Sequence, residues 1–258
     1  MTRLAVKVAY MGEGFSGSQT QPGLRTVEGE ISSNLETICD SSAEELDLKL
    51  ASRTDRGVNA LGNVAVFSTE FRDCKVLLKA LNAVSRGVYY RSYAPVPDDF
   101  NPRYANLRKY RYVMPSDGID LDRARGCASV FVGEHDFVRF CKYDNKPTIG
   151  RVESADVWKD GGALVFDCSA RFFLWNQVRR MMSAIASVGR GDAETEDVLS
   201  ALNGDDISFG VARADALTLR DVVYEGLDFS VPDVAMFDTR VKEELFRSRL
   251  KESFFNSL

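Results

Sequence analysis

An aspartate between two arginines is the residue of this chain whose surroundings best suit chemistry. The stretch ASRTDRGVNA places Asp55 between Arg53 and Arg56, directly after a predicted strand. Neighbouring positive charge favours an ionised carboxylate, and such a carboxylate suits a nucleophile or a general base. The same residues also fit an ordinary Asp-containing turn that joins two strands, so the pattern alone leaves both interpretations open.

A second pattern, G-x-G-x-x-G, follows the first predicted strand. Gly12, Gly14 and Gly17 have the spacing of a dinucleotide-binding loop. Such a loop must open a helix at once, because the pyrophosphate lies on the N-terminus of that helix. In this chain a Pro-Gly pair predicts a turn, and the next helix is predicted only from Thr26. We therefore expect no nucleotide cofactor, and we expect the glycines to permit tight turns and a close approach to a neighbouring group.

Acidic residues are nearly absent from three segments of an otherwise acidic chain. The 258 residues carry 33 Lys and Arg against 38 Asp and Glu, a net charge of −5. Asp55 is the one acid of residues 48–69, and residues 101–116 and 168–191 contain none. If folding brings the three segments together, they form a basic cleft for a polyanion. Taken singly, the arginines of each segment would equally fit a solvated surface.

Other residue types argue against several classes of chemistry. The one histidine, His135, leaves no multi-histidine metal site and argues against Ser-His-Asp or Cys-His catalysis, so we expect it to be structural. The five scattered cysteines form no C-x-x-C pair, which predicts neither a zinc site nor a disulfide framework. No apolar run approaches the roughly 18–20 residues of a membrane span, and no signal-peptide layout is present. We expect a cytoplasmic protein without a metal or a membrane partner.

The elements that must position these residues form two halves. In the first, strands are predicted over 4–10, 46–51, 63–68 and 88–94, and helices over 26–39 and 76–84. In the second, we predict strands over 110–114 and 217–224, a hairpin over 152–170 that turns at Asp160-Gly161, and helices over 121–130, 175–188 and 195–202. The pattern predicts an α+β fold of two similar halves with mainly antiparallel sheets. The first half comprises residues 1–104 and the second half residues 105–232, and a helical tail over 233–258 follows.

Five blocks of the chain resemble, in order, the motifs of the TruA family of tRNA pseudouridine synthases in its archaeal or eukaryotic-like form. The block ASRTDRGVNA resembles that family's G-R-T-D-x-G-V-x-A. The other four blocks are YMGEGFSGSQTQPGLRTVEGEI, VPDDFNPRYANLRKYRYVM, GEHDFVRF and FLWNQVRRMMSAIASVGRG. Together they extend from about residue 5 to about residue 225, and on these motifs the chain is identified as a member of the family.

The resemblance implies roles for individual residues. Asp55 occupies the position of the catalytic aspartate, Tyr110 that of a tyrosine that packs on the target uracil, and Arg179 that of an arginine that pairs with the aspartate. Arg53 corresponds to an arginine thought to displace the target nucleotide from its stack. The other residues that we expect to contact RNA are Arg56, Arg108, Lys109, Arg111 and Arg180. For Tyr112 we expect an ordinary core position.

The resemblance also implies the reaction, the fold and the partners. The reaction is the isomerisation of uridine to pseudouridine in the anticodon stem-loop of tRNA, at tRNA positions 38–40, with no cofactor. The implied fold is the pseudouridine synthase fold, in which the two halves share a continuous sheet around a central basic cleft. The implied assembly is a homodimer with tRNA lying across both subunits.

Several positions depart from the family motifs and leave the target nucleotide and the subfamily open. Ser52 replaces the first glycine of G-R-T-D, and Asn59 replaces a frequent histidine. The remaining departures are Met11, Ser18, Trp175 and Asn176. Three alternatives remain at this point: the same chemistry on another RNA or on a single uridine, a non-catalytic RNA-binding relative, and a carboxylate-dependent glycoside hydrolase. The last normally needs two carboxyl groups, and the neighbourhood of Asp55 in the sequence offers no evident second one.

Overall fold

One mixed, mostly antiparallel sheet runs through the protein. The computed structural model describes residues 1–232 and 238–257, and within them nine strands and six α-helices. The strands are β1 (Thr2–Tyr10), β2 (Lys49–Leu50), β3 (Asn59–Thr69), β4 (Val88–Pro95), β5 (Leu107–Pro115), β6 (Gly133–Asp136), β7 (Ile149–Asp160), β8 (Ala163–Ala170) and β9 (Leu217–Val223). The helices are α1 (Val27–Cys39), α2 (Cys74–Val84), α3 (Leu121–Ser129), α4 (Gln177–Arg190), α5 (Thr195–Leu202) and α6 (Asp238–Phe255).

The two halves of the chain meet inside this sheet. The strand order is β4-β1-β3-β9-β5-β8-β7-β6, and the short β2 pairs with β3. Strands β3 and β9 join the halves through a short parallel pairing of Asn59 with Thr218 and Ala60 with Leu219. The other pairings within the described residues are antiparallel. The predicted α+β fold with mainly antiparallel strands in one continuous sheet is confirmed.

Helix α1 shows how local sequence builds the core of the first half. The Thr26 side chain accepts a hydrogen bond from the backbone N–H of Gly29, which satisfies a donor at the start of the helix. Val27, Ile31 and Leu35 then fall on one face and are almost fully buried. Burial of each such side chain contributes roughly 1.5–3 kcal/mol to stability. The helix predicted over 26–39 is thus confirmed, with Thr26 as its N-cap.

Three of the differences between the predicted and observed boundaries have a reason in the backbone. The strand predicted over 46–51 shrinks to Lys49–Leu50, because Asp47 has a left-handed backbone with φ of 50°. The helix predicted over 175–188 begins only at Gln177, since Asn176 is also left-handed, with φ of 64°. The hairpin turns at Gly161-Gly162, one residue later than predicted, and Gly161 supplies the positive φ of 57° that the turn requires.

The C-terminal tail contributes helix α6. Arg240 of this helix donates a hydrogen bond to the Ser85 carbonyl oxygen at 2.6 Å, and its guanidinium lies over the Tyr89 ring. The predicted helical tail also includes residues 233–237 and 258, which lie outside the described residues. No helix of the described part is long and apolar enough to cross a membrane.

Candidate active site at the junction of the two halves

A basic cleft lies where the two halves meet. Its volume is about 770 Å³, and its walls come from the loop before β3, the loop after β1 and the start of α4. Among its described lining residues, six are basic and two are acidic. The basic residues are Arg53, Arg56, Arg103, Arg108, Lys146 and Arg179. The surplus of positive charge suits a phosphate-bearing ligand.

Asp55 lies in this cleft with a donor on each of its carboxylate oxygens. The indole N–H of Trp175 donates to Oδ1 at 3.0 Å, and Nη1 of Arg179 lies 3.5 Å from Oδ2. The Asp55 side chain is about one-third exposed, so a substrate in the cleft can reach it. The structure therefore brings Asp55 and Arg179 together, as the resemblance implies.

Arg179 is itself held in place by two acceptors. Its Nε donates to the Ala212 carbonyl oxygen at 2.7 Å, and its Nη1 donates to Oδ1 of Asn176 at 3.0 Å. Asn176 stands immediately before helix α4, and the left-handed backbone at this residue sets the direction in which the helix starts. These contacts orient the guanidinium toward Asp55.

The glycine-rich loop supports the loop that carries Asp55. Ser18 and Thr54 exchange two hydrogen bonds, from Thr54 N to Ser18 Oγ at 2.8 Å and from Ser18 N to Thr54 O at 3.0 Å. The N–H of Gly12 donates to Oδ1 of Asn59 at 2.8 Å. A Cβ at Gly12 would lie only 2.3 Å from the carbonyl carbon of Gly57. Gly12 therefore serves the close approach of two loops, and the departures Ser18 and Asn59 are part of that contact.

A buried polar network lies beneath the same loop. The hydroxyls of Tyr10 and Thr54 lie 2.9 Å apart, and the Asn63 amide donates to Tyr10 Oη at 3.1 Å. The same amide donates to the Ser52 carbonyl oxygen at 2.9 Å. Buried polar groups that are fully hydrogen-bonded favour a single arrangement of the backbone around them. The network thus restricts the loop from beneath.

Arg108 belongs to this network, although it was predicted as an RNA contact. Its guanidinium donates to Ser52 Oγ at 2.9 Å and to the carbonyl oxygens of Ala51 and Arg103 at 3.0 Å, and it also bonds the Arg171 carbonyl oxygen. The residue is 9% exposed, and burial lowers the pKa of its guanidinium. The side chain therefore holds protein loops together, and Ser52, which replaces a motif glycine, is one of its acceptors.

Tyr110 forms an aromatic wall of the cleft. It is 8% exposed and meets Phe173 edge to face, with ring centroids 5.3 Å apart. Burial raises the pKa of Tyr110, so its phenol stays neutral over the ordinary pH range. Within residues 1–232 and 238–257 its hydroxyl has no hydrogen-bond partner.

The remaining predicted RNA contacts lie in three different places. Arg53 and Arg56 are exposed at the cleft, and neither pairs with an acid in the described part of the chain. Lys109 and Arg111 lie on the opposite face of β5 from Tyr110, because side chains alternate along a strand. Arg180 does not line the cleft, and its Nε is buried without a partner in the described residues.

The opposite face of the sheet has another cavity of about 910 Å³, and ion pairs lie at its wall. Arg111 makes two 2.7 Å hydrogen bonds to the Asp167 carboxylate, and Lys7 pairs with Asp221. The structure does not bring Lys109 and Arg111 to the cleft. Of the three charged neighbours of Tyr110, Arg108 alone lines the cleft.

Comparisons with known proteins identify the family. A family model described as tRNA pseudouridine synthase matches residues 127–225. The tRNA pseudouridine synthase A of Pyrococcus abyssi is 38% identical over 258 residues, which cover 98% of this chain and 96% of that protein. The enzyme of the same name from Thermococcus kodakarensis is 41% identical over 88% of this chain and 86% of that protein. This chain belongs to the tRNA pseudouridine synthase A family.

Membership of this family makes the protein an isomerase and confirms the resemblance drawn from the five sequence blocks. Among solved structures, a chain of a Cbf5–Nop10–Gar1 complex aligns over 71% of this chain and 45% of its own length. Its identity is 11% and its TM-score is 0.38, which is too low to bear on function.

The structure also shows residues of this tRNA pseudouridine synthase A family member that sequence reasoning did not assign. Trp175 and Asn176 were recognised only as departures from the motif, yet they contact Asp55 and Arg179. A rare tryptophan next to a polar residue, just before the predicted arginine, is a signal that could have marked them. Phe173 gave no such signal, because aromatic residues are common in predicted cores.

Proposed function

We propose that this protein isomerises uridine to pseudouridine in the anticodon stem-loop of tRNA, just 3′ of the anticodon, and that Asp55 is the catalytic group. One observation carries the proposal: Asp55 lies in a basic cleft, with Trp175 and Arg179 on its two carboxylate oxygens and Tyr110 in the adjacent wall. Membership of the family supports pseudouridine formation as the reaction, and the geometry of the cleft supports Asp55 as the catalytic group.

The reaction exchanges one bond to the sugar for another. The C1′–N1 bond breaks, the uracil turns, and a C1′–C5 bond forms, while N1 gains a proton and C5 loses one. Attack on C1′, addition to the ring and removal of the 2′ proton each need a single carboxylate, which Asp55 supplies. The balance of atoms and electrons requires neither a redox partner nor an energy source.

The target uridine must leave its stack before it can reach Asp55. Extrusion of a nucleotide costs a few kcal/mol, which contacts to phosphates and to the extruded base repay. Arg53 and Arg56 are exposed at the cleft and are our candidates for the phosphate contacts. Tyr110 offers an aromatic surface for the uracil, and base stacking of this kind contributes roughly 1–3 kcal/mol.

We further propose a cytoplasmic homodimer with tRNA lying across both subunits. Helix α6 supports an association of chains, since it exposes a group of large apolar side chains. These are Leu245, Phe246, Leu250, Phe254 and Phe255. Sedimentation velocity measures the assembly directly: a dimer has twice the 28.7 kDa mass of the chain, whereas a single 28.7 kDa species at all concentrations rejects this part of the proposal.

The test of Asp55 is its replacement by asparagine, which keeps the shape and removes the carboxylate. We expect Asp55→Asn to reduce tritium release from C5-labelled uridine in tRNA to background. Asp144→Asn is the matched control, because Asp144 is the other acid of the described cleft residues and contacts neither Asp55 nor Arg179. It should keep activity within about threefold. Tritium release near the parent rate by Asp55→Asn would reject the assignment.

The substrate is tested by mapping every new pseudouridine in unmodified tRNA transcripts. We expect them in the anticodon stem-loop, 3′ of the anticodon. Products confined to other positions, or formed only in a different RNA, would favour the alternative of the same chemistry on another target. No product in any RNA, from a folded protein that still binds tRNA, would favour the non-catalytic relative.

A further inference from the structure

We infer that Trp175 is a positioning residue whose indole N–H holds the Asp55 carboxylate in its reactive orientation. The inference rests on the proposed role of Asp55. An indole N–H only donates hydrogen bonds and does not ionise near neutral pH. Trp175 therefore acts through Asp55 and takes no chemical step itself.

The contact from Trp175 is the shorter of two that reach the carboxylate. It measures 3.0 Å from Nε1 to Oδ1, whereas Arg179 Nη1 lies 3.5 Å from Oδ2, at the limit of a hydrogen bond. Within the described residues, no other side chain donates to the Asp55 carboxylate. A carboxylate rotates freely about its terminal bond unless its oxygens are held, so the closer donor sets its orientation.

The indole is held in place before any substrate binds. The Lys142 N–H donates to the Trp175 carbonyl oxygen at 2.8 Å, and the Lys142 ammonium lies 3.8 Å from the centroid of the indole ring. On the other side, Leu174 N donates to the buried Gln177 side chain at 2.8 Å, and Gln177 N donates back to Leu174 O at 3.0 Å. A donor that is fixed in this way needs little free energy for reorientation during the reaction.

The position of Trp175 makes the inference testable without unfolding the protein. The side chain is 45% exposed at the cleft, so its replacement leaves no cavity in the core. The chain has one other tryptophan, Trp158, which lies under the Arg111 guanidinium on the far face of the sheet. Trp158→Phe is therefore a matched control for Trp175→Phe, since both changes remove the same atoms.

The experiment separates the chemical step from RNA binding. We expect Trp175→Phe to lower the single-turnover rate at saturating enzyme about tenfold, because it removes one hydrogen bond to a charged group. The Kd for tRNA should stay within about twofold, and Trp158→Phe should change neither quantity. A second variant, Lys142→Met, keeps the indole but removes its cation, and we expect a rate loss of about threefold.

Three results would overturn the inference. The first is a single-turnover rate for Trp175→Phe equal to that of Trp158→Phe. The second is a weakened Kd with an unchanged rate, which would make Trp175 an RNA contact. The third is a parent protein that forms no pseudouridine, or an active Asp55→Asn variant, either of which removes the proposed function as well. An active parent, an inactive Asp55→Asn and an unaffected Trp175→Phe would reject the positioning role alone.

Discussion

Single residues of one short segment have opposite environments. In the stretch RKYR, Arg108 and Tyr110 line the cleft, whereas Lys109 lines the cavity on the opposite face of β5 and Arg111 pairs there with Asp167. Arg108 combines a full charge with low exposure, and its acceptors are carbonyl oxygens and one hydroxyl. A planar guanidinium satisfies several such acceptors at once, which an ammonium does not.

The first prediction follows from these contacts. Arg108→Lys should lower the free energy of unfolding by about 2–4 kcal/mol, since it leaves buried acceptors without donors. Lys109→Met, one residue away on the other face, should change it by less than about 0.5 kcal/mol. Urea denaturation measures both. Equal stability of the two variants would mean that the hydrogen bonds of Arg108 to the surrounding loops do not stabilise the fold.

At the scale of elements, two loops far apart in sequence form one unit. The turn after β1 packs against the loop before β3, through Gly12 and the hydrogen bonds between Ser18 and Thr54. A G-x-G-x-x-G pattern thus arises from a protein contact, and α1 begins only at Val27, too late for a dinucleotide loop. Gly12 and Gly14 differ in how much space a side chain would have, and this difference provides a second prediction.

Gly12→Ala should destabilise the protein by at least about 2 kcal/mol and reduce turnover, because the new Cβ would lie 2.3–2.5 Å from backbone atoms of Gly57 and Val58. Gly14→Ala is the matched control: its Cβ would meet only the end of the Arg25 side chain, at 3.2 Å. We expect its stability to stay within about 0.5 kcal/mol of the parent. Chemical denaturation and tritium release test the pair. Indistinguishable variants would show that close packing at Gly12 is unimportant.

At the scale of the whole molecule, an acidic protein presents one basic cleft. The chain carries a net charge of −5, while six basic side chains meet two acidic ones among the described cleft residues. The three acid-poor segments, residues 48–69, 101–116 and 168–191, supply most of this surplus. Phosphate contacts release counterions, so the tRNA affinity of such a cleft must depend on salt.

This salt dependence provides the third prediction, which concerns the whole molecule. Arg53→Gln and Arg56→Gln should each reduce the slope of log Kd for tRNA against log salt by about one. Arg111→Gln removes a charge of the same kind, but that charge is paired with Asp167 away from the cleft, so the slope should not change. Binding titrations at several salt concentrations measure the slopes. An equal effect of Arg111→Gln would place RNA on the other face of the sheet.

The sequence by itself determined the family, the antiparallel α+β class and much of the local structure. Helix α1 shows why: its Thr26 cap and its buried face depend on residues only a few positions apart. The predicted roles of Asp55, Tyr110 and Arg179 came from motif resemblance, and their common location in one cleft is an outcome of the fold.

Only the tertiary structure showed that Trp175 contacts Asp55 alongside Arg179. Trp175 is 120 positions away in the chain, and it reaches the carboxylate because β3 and β9 pair and set the start of α4 beside the loop before β3. Arg108 and Ser52, 56 positions apart, meet beneath that loop for the same reason. Contacts between distant segments depend on the packing of the whole sheet, and no local pattern of residue types encodes them.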